Sequence, residues 1–141
     1  MPPKQKKPEK FRFLEHTADI MFESYGKSYP EALENAAHAM FSVFGTANEK
    51  EATRLSLSAH NIEELTVQAL ADLLAYMDTH EIVFSRARVV DFDAERNFID
   101  IEAFGEKKRP RDSVKAVTYH ELMVKEDKET GDWTIRILLD V

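Results

Sequence analysis

The sequence predicts a single compact α+β domain in which two strand–helix units pack with antiparallel β-sheet. Three observations predict it. Two amphipathic helical stretches each follow an apolar strand. From Ile82 onward the hydrophobic period changes from helical spacing to two. The 141 residues, 43% of them hydrophobic, suffice to bury roughly two-thirds of the unfolded surface around one core.

Residues 1–10 carry three prolines, many charges and no apolar side chain beyond Met1, so they read as a disordered basic arm ahead of a folded domain over 11–141. Phe11 to Leu14 and Ile20 to Tyr25 are short apolar or aromatic runs flanking His16-Thr17-Ala18-Asp19 and closed by Gly26, which gives a strand pair or one kinked strand. Ser28-Tyr29-Pro30-Glu31 is a capping box with proline in the first turn, where its missing N–H is not needed. Leu33, Ala36, Ala37, Met40, Phe41 and Phe44 follow at helical spacing, and Gly45 supplies a left-handed stop. Leu55, Leu57 and Ala59 alternate with polar residues as a half-buried strand does. Asn61 with Glu64 caps a second helix, whose apolar stripe runs from Leu65 through Met77 and ends about His80.

Two β-hairpins follow. Ile82 to Phe92 and Asn97 to Phe104 flank the turn at 93–96, and Lys115 to Lys125 and Asp132 to Leu139 flank Glu126 to Gly131. Between the hairpins, 105–113 is polar and bounded by glycine and proline, which predicts an exposed loop. In the last strand Trp133, Ile135, Ile137 and Leu139 share one face, and Thr134, Arg136, Leu138 and Asp140 the other, so Asp140 lies off the main core face.

Composition limits the function. A net charge of -7 argues against a dedicated nucleic-acid binder, although basic residues crowd the start and the 107–115 segment. No apolar run approaches the ~20 residues needed to span a bilayer, and the basic start lacks the hydrophobic stretch of a signal peptide. Cysteine is absent, which removes disulfides and thiolate metal sites; a soluble cytoplasmic protein is the expectation. There is no P-loop, no Gly-x-Gly-x-x-Gly and no serine elbow.

The residues that remain are acids and a few candidate partners. Asp19, Asp140 and the main-chain carboxylate of Val141 are hard oxygen ligands suited to Ca²⁺, Mg²⁺ or Mn²⁺; taken alone, acids this far apart in sequence also read as ordinary surface charges. His16 is a ligand, a satisfied core histidine or the partner that orients Asp19, while Glu15 faces solvent. Lys115-Ala116-Val117-Thr118-Tyr119-His120-Glu121 reads as an edge strand, with Thr118 and His120 on one face and Tyr119 and Glu121 on the other. Arg109 and Arg111 in the basic loop suit bidentate phosphate contacts or an acidic protein surface, or are simply solvated.

The motifs His16-Thr17-Ala18-Asp19, Lys115-Ala116-Val117-Thr118-Tyr119 and a hydrophobic strand ending Asp140-Val141 occur in the order and places that characterise the archease family, which this chain resembles from Phe11 to Val141. One departure is Glu15, where relatives often carry aspartate. The resemblance implies a small α+β domain and a divalent-metal site, calcium foremost with magnesium or manganese as alternatives, held by Asp19, Asp140 and Val141. His16, Lys115, Thr118, Tyr119, Arg109 and Arg111 are then residues behind the ligands or facing a partner. It also implies a protein cofactor, not itself an enzyme, of the manganese-dependent tRNA-splicing RNA ligase, whose guanylylation by GTP and multiple turnover it promotes. Two other classes compete: an RNA chaperone or tRNA methyltransferase partner that contacts tRNA directly, and a self-sufficient metal-dependent hydrolase, for which a general-base constellation is missing.

Overall fold

The computed structural model describes residues 9–16, 18–110 and 114–141. The expected arm over 1–10 lies outside these, apart from Glu9 and Lys10. The described residues form β1 (Phe11–Leu14), β2 (Ile20–Gly26), α1 (Tyr29–Val43), β3 (Glu51–Ser58), α2 (Ile62–His80), β4 (Ile82–Asp93), β5 (Phe98–Lys107), β6 (Ala116–Glu126) and β7 (Trp133–Asp140). The strands make two antiparallel sheets, one ordered β1-β2-β7-β6 and the other β3-β5-β4. Helix α1 packs on β2 and β7 of the first sheet and on β4 of the second, and α2 packs on β6 and on the strands of the second sheet. The core therefore draws on both helices and both sheets, with Phe22, Leu33, Phe41, Leu70, Phe84, Ile99 and Ile137 all fully buried. No described helix is long and apolar enough to cross a membrane.

Both helix starts form as their sequences dictate. The Glu31 N–H donates to Ser28 Oγ at 3.3 Å, and the Glu64 N–H donates to Asn61 Oδ1 at 2.8 Å. Gly45 follows α1 at φ 107°, whereas α2 ends on Glu81 at φ 50°, a left-handed cap made without glycine. Helix α1 lies unusually close to β2. Ser24 Oγ donates to the Ala32 carbonyl at 2.9 Å, Asn35 Nδ2 donates to the Tyr25 carbonyl at 2.7 Å, and a Cβ at Gly26 would collide with the Ala32 backbone. Tyr29, at the start of α1, donates to Thr66 Oγ1 of α2 at 2.7 Å, while Thr66 itself donates to Ile62; burial pushes the Tyr29 phenol well above its ordinary range.

One expectation is corrected. The stretch from Gly105 is not loop from its first residue: β5 continues through Lys107, with Gly105 opposite Phe84 and Lys107 opposite Ile82. Gly105 acts here as the residue that permits close pairing, since a Cβ would meet the backbone of Val83 and Phe84. Beyond it, the Lys108 N–H donates to the Glu81 carbonyl at 3.2 Å and Lys108 Nζ reaches the Thr46 carbonyl, so the first part of the basic segment is folded back on the domain.

Strand β4 is an edge strand, and α1 supplies acceptors for its outer N–H groups. Val89 N–H donates to Glu34 Oε2 at 2.7 Å and Ala87 N–H donates to His38 Nε2 at 3.1 Å, one helical turn apart on α1 and two residues apart on β4. Nε2 also lies 3.3 Å from the Ala87 carbonyl. A neutral ring protonated on Nδ1 makes the shorter bond. Burial lowers the His38 pKa from 6.5, against a smaller raising by the Ala87 carbonyl, with Lys10 and Arg86 lowering it further.

The folded state thus holds His38 neutral while the unfolded chain takes up a proton near pH 6.5, so this contribution is present above that pH and is lost as pH falls toward the lowered folded value. His38→Ala leaves the Ala87 N–H unpaired and is expected to lower unfolding free energy by about 1–3 kcal/mol at neutral pH. In urea unfolding the gap between wild type and variant should narrow on acidification. A gap that widens toward acid would contradict the neutral assignment.

Candidate functional site

The candidate residues gather because β2 and β7 are neighbours. Their ladder runs from Gly26↔Trp133 to Ile20↔Leu139, so Asp19 and Asp140 are the next residues along, one step beyond the last pair. On the other side of β7, Ala116 is opposite Asp140, and the Lys115 N–H donates to the Asp140 carbonyl at 2.7 Å. Asp19 is half-buried, and Asp140, Val141 and Lys115 are exposed. The ladder is fastened halfway along by Arg136, whose Nε and Nη2 donate to Glu23 Oε2 at 3.0 and 2.7 Å.

Donor chemistry suits a hard cation. Asp19 and Asp140 offer carboxylate oxygens and Val141 a main-chain carboxylate, with solvent access that would leave room for retained waters. Among the described residues no group of three or more His, Asp or Glu side chains is placed to hold a metal ion, so such a site draws on the Val141 main chain as well as the two aspartates.

The outer face of this end of the sheet carries a feature that alternation alone does not predict. The β6–β7 ladder pairs Thr118 with Leu138 and next pairs Met123 with Arg136, so five residue steps on β6 answer two on β7. The excursion corrects the reading of 115–121 as an ordinary edge strand, because faces can no longer be assigned by counting past Thr118. Thr118 Oγ1 donates to the Leu138 carbonyl at 3.1 Å and accepts the His120 N–H at 3.3 Å. Tyr119 is 57% exposed. Glu121 takes φ 53°, a left-handed conformation strained for a side-chain-bearing residue.

Glu121 Oε2 lies 3.4 Å from His16 Nε2. Strands β2 and β7 lie between the two residues' own elements, and their outward side chains Met21 and Leu138 are only 5% and 3% exposed. We therefore describe His16 and Glu121 as a clasp over this face. His16 Nδ1 is buried with no hydrogen-bond partner among the described residues, and Glu15 is exposed as expected. Arg109 is exposed on the stretch leaving β5, and Arg111 lies outside the described residues. The signal for the excursion was in the strand lengths: β6 has 11 residues and its hairpin partner β7 has 8.

Comparison with known proteins places these motifs in a family setting. The model of the Archease protein family (MTH1598/TM1083) matches residues 11–141. A curated archease of Methanosarcina acetivorans is 36% identical, over 94% of this chain and 97% of its own length. That of Sulfurisphaera tokodaii is also 36% identical, over 82% and 88%. The solution structure of Methanobacterium thermoautotrophicum protein 1598 superposes with a TM-score of 0.79 at 32% identity, covering 94% of this chain and 99% of that one. A Thermotoga maritima crystal structure, described as an archease and possible chaperone, has a TM-score of 0.65 at 22% identity, covering 97% and 98%, and bears on the fold alone.

Glu121→Gly relieves left-handed strain, whereas Glu121→Ala loses the His16 contact and keeps the strain. The glycine variant is expected to be the more stable of the two by about 1 kcal/mol in chemical unfolding. Equal stabilities would show that Glu121 carries no backbone strain.

Proposed function

The chain belongs to the archease family, and on that premise we propose that it is an accessory protein that activates the GTP- and manganese-dependent tRNA-splicing RNA ligase, promoting its guanylylation and multiple turnover. The observation that carries this reading is the β2–β7 register, which brings the early aspartate and the end of the last strand together beside Lys115. Acids gathered in this way into a cup favour a cation or a basic partner that neutralises them.

In this reading Asp19, Asp140 and the Val141 carboxylate hold a divalent cation, calcium or alternatively magnesium or manganese. When bound, the ion neutralises the cup and offers positive charge toward phosphate oxygens. The chain's own residues do the positioning. The Lys115 main chain fixes the Asp140 backbone, Arg136 and Glu23 hold β2 and β7 in register, and His16 with Glu121 holds the turn that bears Asp19. The covalent chemistry stays with the ligase. Differential binding of roughly 2.7 kcal/mol suffices to raise a guanylylation-competent ligase state from about 1% to about half occupancy.

Purified ligase with labelled GTP, under limiting and excess RNA, is expected to be guanylylated faster in the presence of wild-type protein, and Asp140→Asn is expected to lose the stimulation while remaining folded. No acceleration in either regime would overturn the reading. The cation is tested apart from the ligase: a divalent ion at about a hundred times its Kd should stabilise wild type by about 2.7 kcal/mol, and Asp19→Asn should not respond.

A further inference from the structure

The β6 excursion presents an aromatic side chain to solvent in a held conformation. Tyr119 is the most exposed of the large hydrophobic residues described, at 57%, with Phe13 and Val141 next at 46% and 39%. Phe13 has ring neighbours, Phe11 at 5.7 Å and Phe22 at 6.2 Å. Tyr119 instead follows Thr118, whose ladder partner Leu138 lies two residues before Asp140, so the exposed ring stands near the acidic end of the sheet. The backbone around Tyr119 is fixed on both sides, by the two Thr118 hydroxyl bonds before it and by the left-handed Glu121 with its His16 contact after it. A partner that meets this element has little ordering entropy left to overcome.

Resting on the ligase reading above, we propose that residues 119–121 are a docking knuckle for the ligase, with Tyr119 as the anchor that enters a pocket on that protein lined by cationic groups. Tyrosine is among the residue types that concentrate binding energy at interfaces, because it adds large apolar area and a polar tip with few rotatable bonds. Charge selects the class of partner. Glu121 on the knuckle and the exposed Glu15 next to its contact His16 stand outside the proposed cation ligands, and their carboxylates repel RNA phosphates and complement a basic protein surface. Arg or Lys groups on the partner would meet both the ring face and the carboxylates.

The experiment measures the affinity of full-length ligase for the fluorescently labelled chain. Tyr119→Ala is expected to weaken Kd about tenfold or more, Tyr119→Phe to stay within about threefold, and Glu121→Gly to fall between them because the knuckle then loses its fixed direction. Thermal melting and divalent-cation binding of Tyr119→Ala and Tyr119→Phe should match wild type, which separates docking from folding and from the acidic cup. Wild-type affinity in Tyr119→Ala overturns the proposal and leaves the activator reading standing. A wild-type chain that binds through Tyr119 yet fails to speed guanylylation upholds docking and overturns activation, and a wild-type chain that does not bind the ligase overturns both. Loss of affinity in Tyr119→Ala for an RNA oligonucleotide alone would assign the residue to RNA and overturn the proposal.

Discussion

The pairing of β2 with β7 is the constraint on which the rest of this molecule depends. It joins residues 20–26 to 133–139 and sets a four-stranded sheet around two strands from opposite ends of the chain. Closing so long a loop costs about 4 kcal/mol in chain entropy. Full burial of Phe22, Ile135, Ile137 and Leu139 along the pair contributes roughly 1.5–3 kcal/mol each, which together exceeds that cost. The Glu23–Arg136 pair, with the arginine side chain 34% exposed, adds at most about 1 kcal/mol and serves mainly to fix register. A slip of one residue would turn Ile135, Ile137 and Leu139 out of the core and separate Asp19 from Asp140 at the same time. Apolar alternation therefore positions the acids that it does not itself contain.

Much of this was legible in the sequence because it was locally encoded. Ser28 and Asn61 announce the helix starts, the stripes beginning at Leu33 and Leu65 mark the buried helix faces, and Trp133 to Leu139 alternate as the structure has them. The non-local facts were harder to read. No local signal distinguishes one mixed sheet from two sheets bridged by helices, and nothing in Glu34 or His38 as residue types says that they accept N–H groups from a strand some fifty residues later. Gly105 was misread because glycine marks both a chain break and a close strand approach, and only the partner strand tells which. The three motifs of the candidate site were recognised individually, whereas their common location follows from strand order.

The excursion falls on one of the four edges of the described sheets, β1, β3, β4 and β6. Strand β1 is only 4 residues long, and β4 is closed off by the side chains of α1. Strand β6 has 11 residues at the margin of the larger sheet, a length that would offer a long template for pairing with other chains if it ran straight. The excursion between Thr118 and Met123 interrupts that template. The same irregularity lifts Tyr119 into solvent and turns Glu121 back toward His16. One local distortion thus serves both to protect an edge and to shape a surface.

The two parts of the candidate site share a structural element, and this bears on how they would communicate. The turn between β1 and β2 carries His16, which meets Glu121 of the excursion, and Asp19, which lies beside the end of β7. A cation on Asp19 and a protein on Tyr119 would both favour an ordered form of this turn, one through the acids and the other through the clasp. Any coupling carried this way is reciprocal: if partner binding tightens the cation site by a given factor, the cation tightens partner binding by the same factor. The alternative route between the two, through the β6–β7 ladder, has only the pairs from Ala116 to Thr118 before the register breaks. The His16–Glu121 contact is the link that can open: an imidazole at 3.4 Å from a carboxylate is weak enough to be broken and strong enough to bias a turn.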